Sequence, residues 1–194
     1  MAFIKRFRHS LKYLLAVSCL IFTVVLLWLL VGFYLIKKNY NRHFTQLPIQ
    51  HDVIISRDDH AIPFIQAQSF KDALFGLGFV HAQDRYWQMM MLREAAKGEL
   101  SAQFGKAFLK HDRMMHTLDL GGISKKVYSN QSKKTQEKLI AYAAGVNAWV
   151  DANNKQWLPL APESFIFSTR FAPWQPEDSI LVQKFMHYTL TNKA

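Results

Sequence analysis

The stretch from Gly76 to Met89 carries the densest set of side chains able to do chemistry: His81, Gln83, Asp84, Arg85 and Gln88, set among Phe79, Tyr86, Trp87 and Met89. A carboxylate here could act as a general base if a substrate proton came within hydrogen-bond reach, but Asp84 has no visible catalytic partner. A neutral amide, an anion and a cation side by side can also satisfy one another inside a fold. Gln83, Asp84, Arg85 and Gln88 are therefore read as a structural polar network that holds the fold together.

Other chemistries find less support. The eight histidines form neither His-Glu-x-x-His nor His-x-His, so no metal site is assigned. No Gly-x-Ser-x-Gly elbow and no phosphate-binding loop is present, and Gly76-Leu77-Gly78 lacks the third glycine of a dinucleotide motif. Cys19 is the only cysteine, which excludes an intramolecular disulfide and a cysteine-based zinc site. Ala16-Val17-Ser18-Cys19 resembles a lipoprotein cleavage site, but too few apolar residues precede it for lipidation.

The net charge of +10 is unevenly placed. Every acidic residue lies at or beyond Asp52, whereas Lys5, Arg6, Arg8, Lys12, Lys37, Lys38 and Arg42 flank an apolar run from Tyr13 to Ile36. Basic flanks of that kind meet lipid headgroups. No basic stripe is apparent elsewhere, so nucleic acid is not expected as a partner. As a helix the run would be about 36 Å long, enough to cross a bilayer core. Without a small-x-small site after it, an uncleaved signal anchor is expected, with the N-terminus cytoplasmic by a mild positive-inside bias. The expected organisation is a basic N-terminus (1–12), a transmembrane anchor (13–36), a linker (37–51) and a folded domain (52–194).

Within that domain, Val53-Ile54-Ile55 and Pro63–Ala67 read as two strands joined at the turn-prone Arg57-Asp58-Asp59. Ser69 with Asp72 three residues on starts a helix that should run to Lys97 and stop at Gly98, with Gly76 and Gly78 dividing it. A short helix is expected over 101–109, a longer one over 135–151, and a last one from near Asp178 to the end of the chain. Leu158–Pro162 should be irregular. One hairpin among helices leaves strand edges unpaired, so these strands should belong to a larger sheet.

Several motifs occur in the order found in the penicillin amidase family: Arg57-Asp58, Ile62-Pro63-Phe64-Ile65, Asp72, Gly78 to Met89, Arg93 with Gly98-Glu99-Leu100 and Gly105, Tyr142 to Trp149, Leu158-Pro159, and Trp174-x-Pro176-x-Asp178. The sequence resembles the N-terminal, α-chain region of that family. Ala61 stands where the family usually has Gly, Phe64 where it has His, and His116 where it has Arg.

The resemblance implies an α+β fold: the mostly helical α-chain portion of an αββα N-terminal-nucleophile hydrolase sandwich, preceded here by one transmembrane helix. It implies hydrolysis of the amide bond of N-acyl substrates, such as β-lactam antibiotics or acyl-homoserine lactones, by an N-terminal Ser of a β chain. That nucleophile would lie beyond Ala194, so no catalytic residue is assigned here and the chain alone should be inactive. The β-chain portion is the expected partner. Calcium is implied for the complete enzyme, with no cofactor in this chain. The last helix would line the acyl pocket with Met186, His187 and Leu190. The expected location is the bacterial inner membrane, single-pass, with the soluble part in the periplasm. The chain also stops within its last expected helix, as a truncated or split reading frame would. The alternatives are a non-catalytic membrane-anchored remnant and an anchored binding module.

Overall fold

A computed structural model describes residues 2–39, 43–154 and 171–191, with side chains described over most of them. The chain divides into two compact units, Met1–Thr45 and Gln46–Ala194. The first is built on α1 (Ala2–Asn39). Its window Lys12–Val31 is long and apolar enough to cross a membrane, and none of it is buried. Thr23 is accommodated there because its Oγ1 donates to the Leu20 carbonyl at 2.8 Å. Length and composition alone make this a span candidate, and a signal sequence would have the same properties.

The second unit starts with an antiparallel hairpin of β1 (Ile54–Arg57) and β2 (Pro63–Gln66), in which Ile55 faces Ile65. Asp58 shapes its turn by accepting from the His60 and Ile62 amides at 2.9 and 2.8 Å. Ala61 within that turn has φ 63°. Helices follow: α2 (Phe70–Lys97), α3 (Leu100–Phe104), a 3-10 turn (Lys106–Phe108), α4 (Leu109–Leu118), α5 (Leu120–Ser129), α6 (Lys133–Asn154) and α7 (Pro176–Thr191). Leu158–Pro162 lies outside the described residues.

Local chemistry sets the ends of α2. The Ser69 Oγ accepts from the Asp72 amide at 3.0 Å, and Gly98 at φ 74° carries the chain out of the helix. The amides of Gly98 and Glu99 return to the carbonyls of Ala95 and Glu94 at 3.2 and 3.0 Å, a paired closure of the last turn. The expected division at Gly76 and Gly78 does not occur. The helix runs through both, and its one departure from helical geometry is at Arg85 (φ −140°, ψ 23°).

The glycines serve packing instead. A Cβ on Gly78 would overlap the Tyr142 carbonyl oxygen, and one on Gly145 would overlap the Phe75 carbonyl oxygen. Each glycine lets the other helix's backbone come close, so α2 and α6 cross at short range. Around that crossing Phe75, Phe79, Val80, Ala82 and Tyr86 of α2 are buried, as are Ala141, Ala143, Val146 and Trp149 of α6. A second cluster joins Ala96, Met115, Leu181 and Phe185 from α2, α4 and α7.

Candidate functional site

The residues singled out in α2 fall into two groups. Gln83 and Asp84 come together, but on a cation from the hairpin. Arg57 donates from Nη2 to Gln83 Oε1 at 2.8 Å, and from Nη2 and Nη1 to the two Asp84 carboxylate oxygens at 2.7 and 3.1 Å. Arg57 also donates to the Ala61 carbonyl at 2.9 Å, so one guanidinium ties the hairpin turn to the helix. Arg85 and Gln88 do not join. Both side chains are exposed and form no side-chain hydrogen bond among the described residues. Both Asp84 oxygens are held by one cation, which fits a structural part better than a general base.

Ser69, His51 and Asp72 are the residue types of a hydrolytic triad, but their order in space is wrong for one. The Ser69 hydroxyl donates to Asp72 Oδ2 at 2.7 Å, and His51 Nδ1 lies 3.2 Å from the same oxygen. The carboxylate, not the imidazole, is central, so nothing withdraws the serine proton. The Gln50 amide donates to Asp72 Oδ1 at 3.0 Å. That bond, with those from Ser69 and His51, outweighs the opposing effect of burial and holds the Asp72 carboxyl below its usual range. The cluster clips the entering chain to the start of α2.

His81 sits with Nδ1 2.9 Å from the Tyr142 hydroxyl. Burial pushes its pKa down, against the pull of Asp84, and favours the neutral ring. Burial also raises the Tyr142 phenol to about 12. This pair bridges α2 and α6 as a neutral hydrogen bond, with neither group poised to lose a proton near neutral pH.

The most demanding electrostatic site joins α2 to α7. Arg93 is fully buried, with Nε 3.1 Å from Glu94 Oε1 and Nη1 donating to the Ala172 carbonyl at 2.9 Å. Its Nη1 also reaches Asp178 Oδ2 at 3.4 Å, and its guanidinium lies over the Trp174 ring, 5.7 Å from the centroid. Asp178 accepts from the Gln175 amide at 2.9 Å and lies 3.3 Å from Lys97 Nζ. Asn147 completes the clamp by exchanging two hydrogen bonds with the Trp174 backbone, at 2.8 and 3.0 Å. Arg93, Asn147, Trp174 and Asp178 are motif residues in the sequence, but their pairing is not legible there because the partners lie up to 85 positions apart.

This clamp fixes α7 so that Asp178, Leu181 and Phe185 point inward. Met186, His187 and Leu190 point outward, and Met186 and Leu190 are 48% and 70% exposed. An imidazole and two apolar side chains thus form an uncovered helical face. The hairpin has a similar one, with Ile54 and Phe64 exposed. Among the described residues no three His, Cys, Asp or Glu side chains converge as metal ligands. No acid, base or nucleophile set is assembled among them either.

The penicillin amidase family model matches residues 52–194, from the hairpin through α7. The chain belongs to the penicillin amidase family. It is thereby a member of the N-terminal-nucleophile hydrolase superfamily. The acyl-homoserine lactone acylase QuiP of Pseudomonas aeruginosa is 37% identical over 143 residues, which are 73% of this chain and 16% of that protein. Penicillin G acylase of Escherichia coli is 30% identical over 132 residues, 68% of this chain and 16% of that protein. The chain thus spans about a sixth of the length of these curated relatives. A solved structure of a thermostable penicillin G acylase from Alcaligenes faecalis has the same fold. It superposes with a TM-score of 0.66 at 23% identity, covering 74% of this chain and 75% of that one. A mostly helical penicillin amidase fold with a two-stranded sheet is therefore the architecture of this chain.

Proposed function

We propose that this chain is the N-terminal, α-type portion of an amidohydrolase that cleaves the amide bond of N-acyl substrates, and that the serine nucleophile is supplied by a β-type portion. The family membership supports the reaction class, since the relatives named above are acylases. The match to three quarters of a solved chain of similar length supports a portion that folds as one chain of a larger assembly. The carrying observation is the α7 face, where Met186, His187 and Leu190 are uncovered although α7 itself is firmly clamped. In the assembled enzyme this face lines the acyl pocket, and the hairpin joins a sheet of the αββα sandwich built by the partner.

Here α1 acts as a single-pass signal anchor in the bacterial inner membrane, leaving the domain in the periplasm. Its length, apolar composition and basic flanks support that reading. Calcium, if the assembly holds it, would draw on ligands beyond the described residues.

The test is a chimera in which residues 52–194 replace the corresponding segment of the Pseudomonas aeruginosa acylase. An active chimera whose preference for long over short acyl chains changes about tenfold on Leu190→Trp supports the pocket role. An active chimera indifferent to substitutions at 186, 187 and 190 refutes it.

A further inference from the structure

The charge of the folded unit is concentrated at one corner. Lys125, Lys126, Lys133, Lys134 and Lys138 face a single acid, Glu137, in the same stretch. The remaining residues from Asp52 onward are nearly balanced, with 12 basic and 13 acidic. In sequence the five lysines are spread across the end of one helix and the start of the next. The fold gathers them. Gln136 Nε2 donates to the carbonyls of Tyr128, Ser129 and Gln131 at 3.1–3.3 Å, which fixes the tight turn between α5 and α6. Lys125, Lys126, Lys133 and Lys134 are exposed, and none of the five pairs with a carboxylate among the described residues.

Two further observations point to what meets this corner. Lys138 Nζ lies 5.1 Å from the centroid of Phe70, which is 66% exposed at the first turn of α2. An aromatic ring beside unpaired lysines is a combination suited to a lipid interface. The chain coming from α1 also enters the folded unit at this place. Gln50 and His51 are bound to Asp72, two residues from Phe70. Gln50 follows the end of α1 by eleven residues, a segment that can reach about 40 Å at full extension. Gln50 and His51 are thus held at the start of α2, beside Phe70.

We propose that the lysine corner of α5 and α6, with Phe70 at its edge, docks on anionic phospholipid headgroups of the membrane that holds α1. Each lysine brought to a negative surface adds to the attraction, which salt weakens. The inference rests on the reading of α1 as an anchor, and the test separates the two.

The full chain is reconstituted into vesicles of phosphatidylcholine, with or without phosphatidylglycerol, and labelled with a membrane-impermeant amine reagent. Labelling of Lys125, Lys126, Lys133 and Lys134 is compared with that of exposed Lys106 and Lys110 in the same molecules. The expected result is relative labelling slowed about fivefold by phosphatidylglycerol. High salt should restore it, and Lys133→Gln with Lys134→Gln should abolish the protection of Lys125 and Lys126. Equal relative labelling in both vesicles overturns the proposal, as does equal protection by a soluble oligonucleotide. Flotation reports on the anchor separately. Failure to float with pure phosphatidylcholine sinks the anchor, whereas flotation without lysine protection sinks only the docking.

Discussion

At the scale of single residues, Ala61 is out of keeping with its conformation. It holds φ 63° in the hairpin turn, where its methyl group is strained and glycine would not be. This gives a physical reason for the glycine usual in the family at this place. Ala61→Gly is expected to stabilise the domain by about 0.5–1 kcal/mol, the strain relief less the added entropy of the unfolded chain; urea unfolding would measure it. Asp112 illustrates the opposite case. It is buried, which raises its pKa, but the amides of Ser101 and Leu100 donate to it at 2.7 and 3.2 Å and bring it below its usual value. It thereby caps α3, whose own preceding residue Glu99 provides no side-chain cap. Both Asp72 and Asp112 have lowered folded-state pKa values. Their contribution is complete above the unfolded value of 3.8 and is lost as pH falls below it through the folded values. Glu94 is shifted upward, chiefly by burial, so its protonation favours the folded state and partly offsets the loss. Acid unfolding should therefore steepen below about pH 4, and Asp112→Asn should flatten that limb in a pH titration of thermal stability. The Ser69 cap and the Gly98 stop were legible because their partners are a few residues away. The Arg57 pair with Asp84 was not, since 27 positions separate them and the adjacent Arg85 offered a simpler partner.

At the scale of elements, α2 organises the molecule. It meets α6 through Gly78 and Gly145, the hairpin through Arg57, and α7 through Arg93. Gly78→Ala or Gly145→Ala would drive a methyl group into the facing helix backbone and should cost about 2 kcal/mol or more, because neither backbone can yield locally. Arg93→Met should cost about 3–5 kcal/mol by leaving Glu94 buried without its cation and Asp178 with Lys97 alone; Asp178→Asn should do less, since Gln175 can still be bonded. Chemical denaturation distinguishes them. The long helices α2 and α6 were legible because each has a continuous apolar face. The two-piece reading of α2 failed because helix propensity treats glycine as a breaker, whereas tertiary packing needs it here. The short helices α4 and α5 were not recognised in sequence. They bury only Asp112 and Met115, and Ser124, respectively, so they leave almost no apolar period.

At the scale of the whole molecule, the internal contacts are well satisfied while two faces are not covered. The outer faces of the hairpin and of α7 expose Ile54, Phe64, Met186 and Leu190. The stray hairpin is the feature, legible in sequence, that supports the proposed partner portion. What sequence could not show is which partners hold these polar side chains. Asp84 is held by Arg57, Ser69 by Asp72, and His81 by Tyr142. Under the proposed function the chain is a scaffold whose contribution to catalysis is a pocket wall. The most direct measurement is amide hydrolysis by the purified full chain, assayed on phenylacetyl amides and acyl-homoserine lactones. No turnover above the uncatalysed rate is expected. Stoichiometric turnover that is abolished by substituting a Ser or Thr of this chain would contradict it.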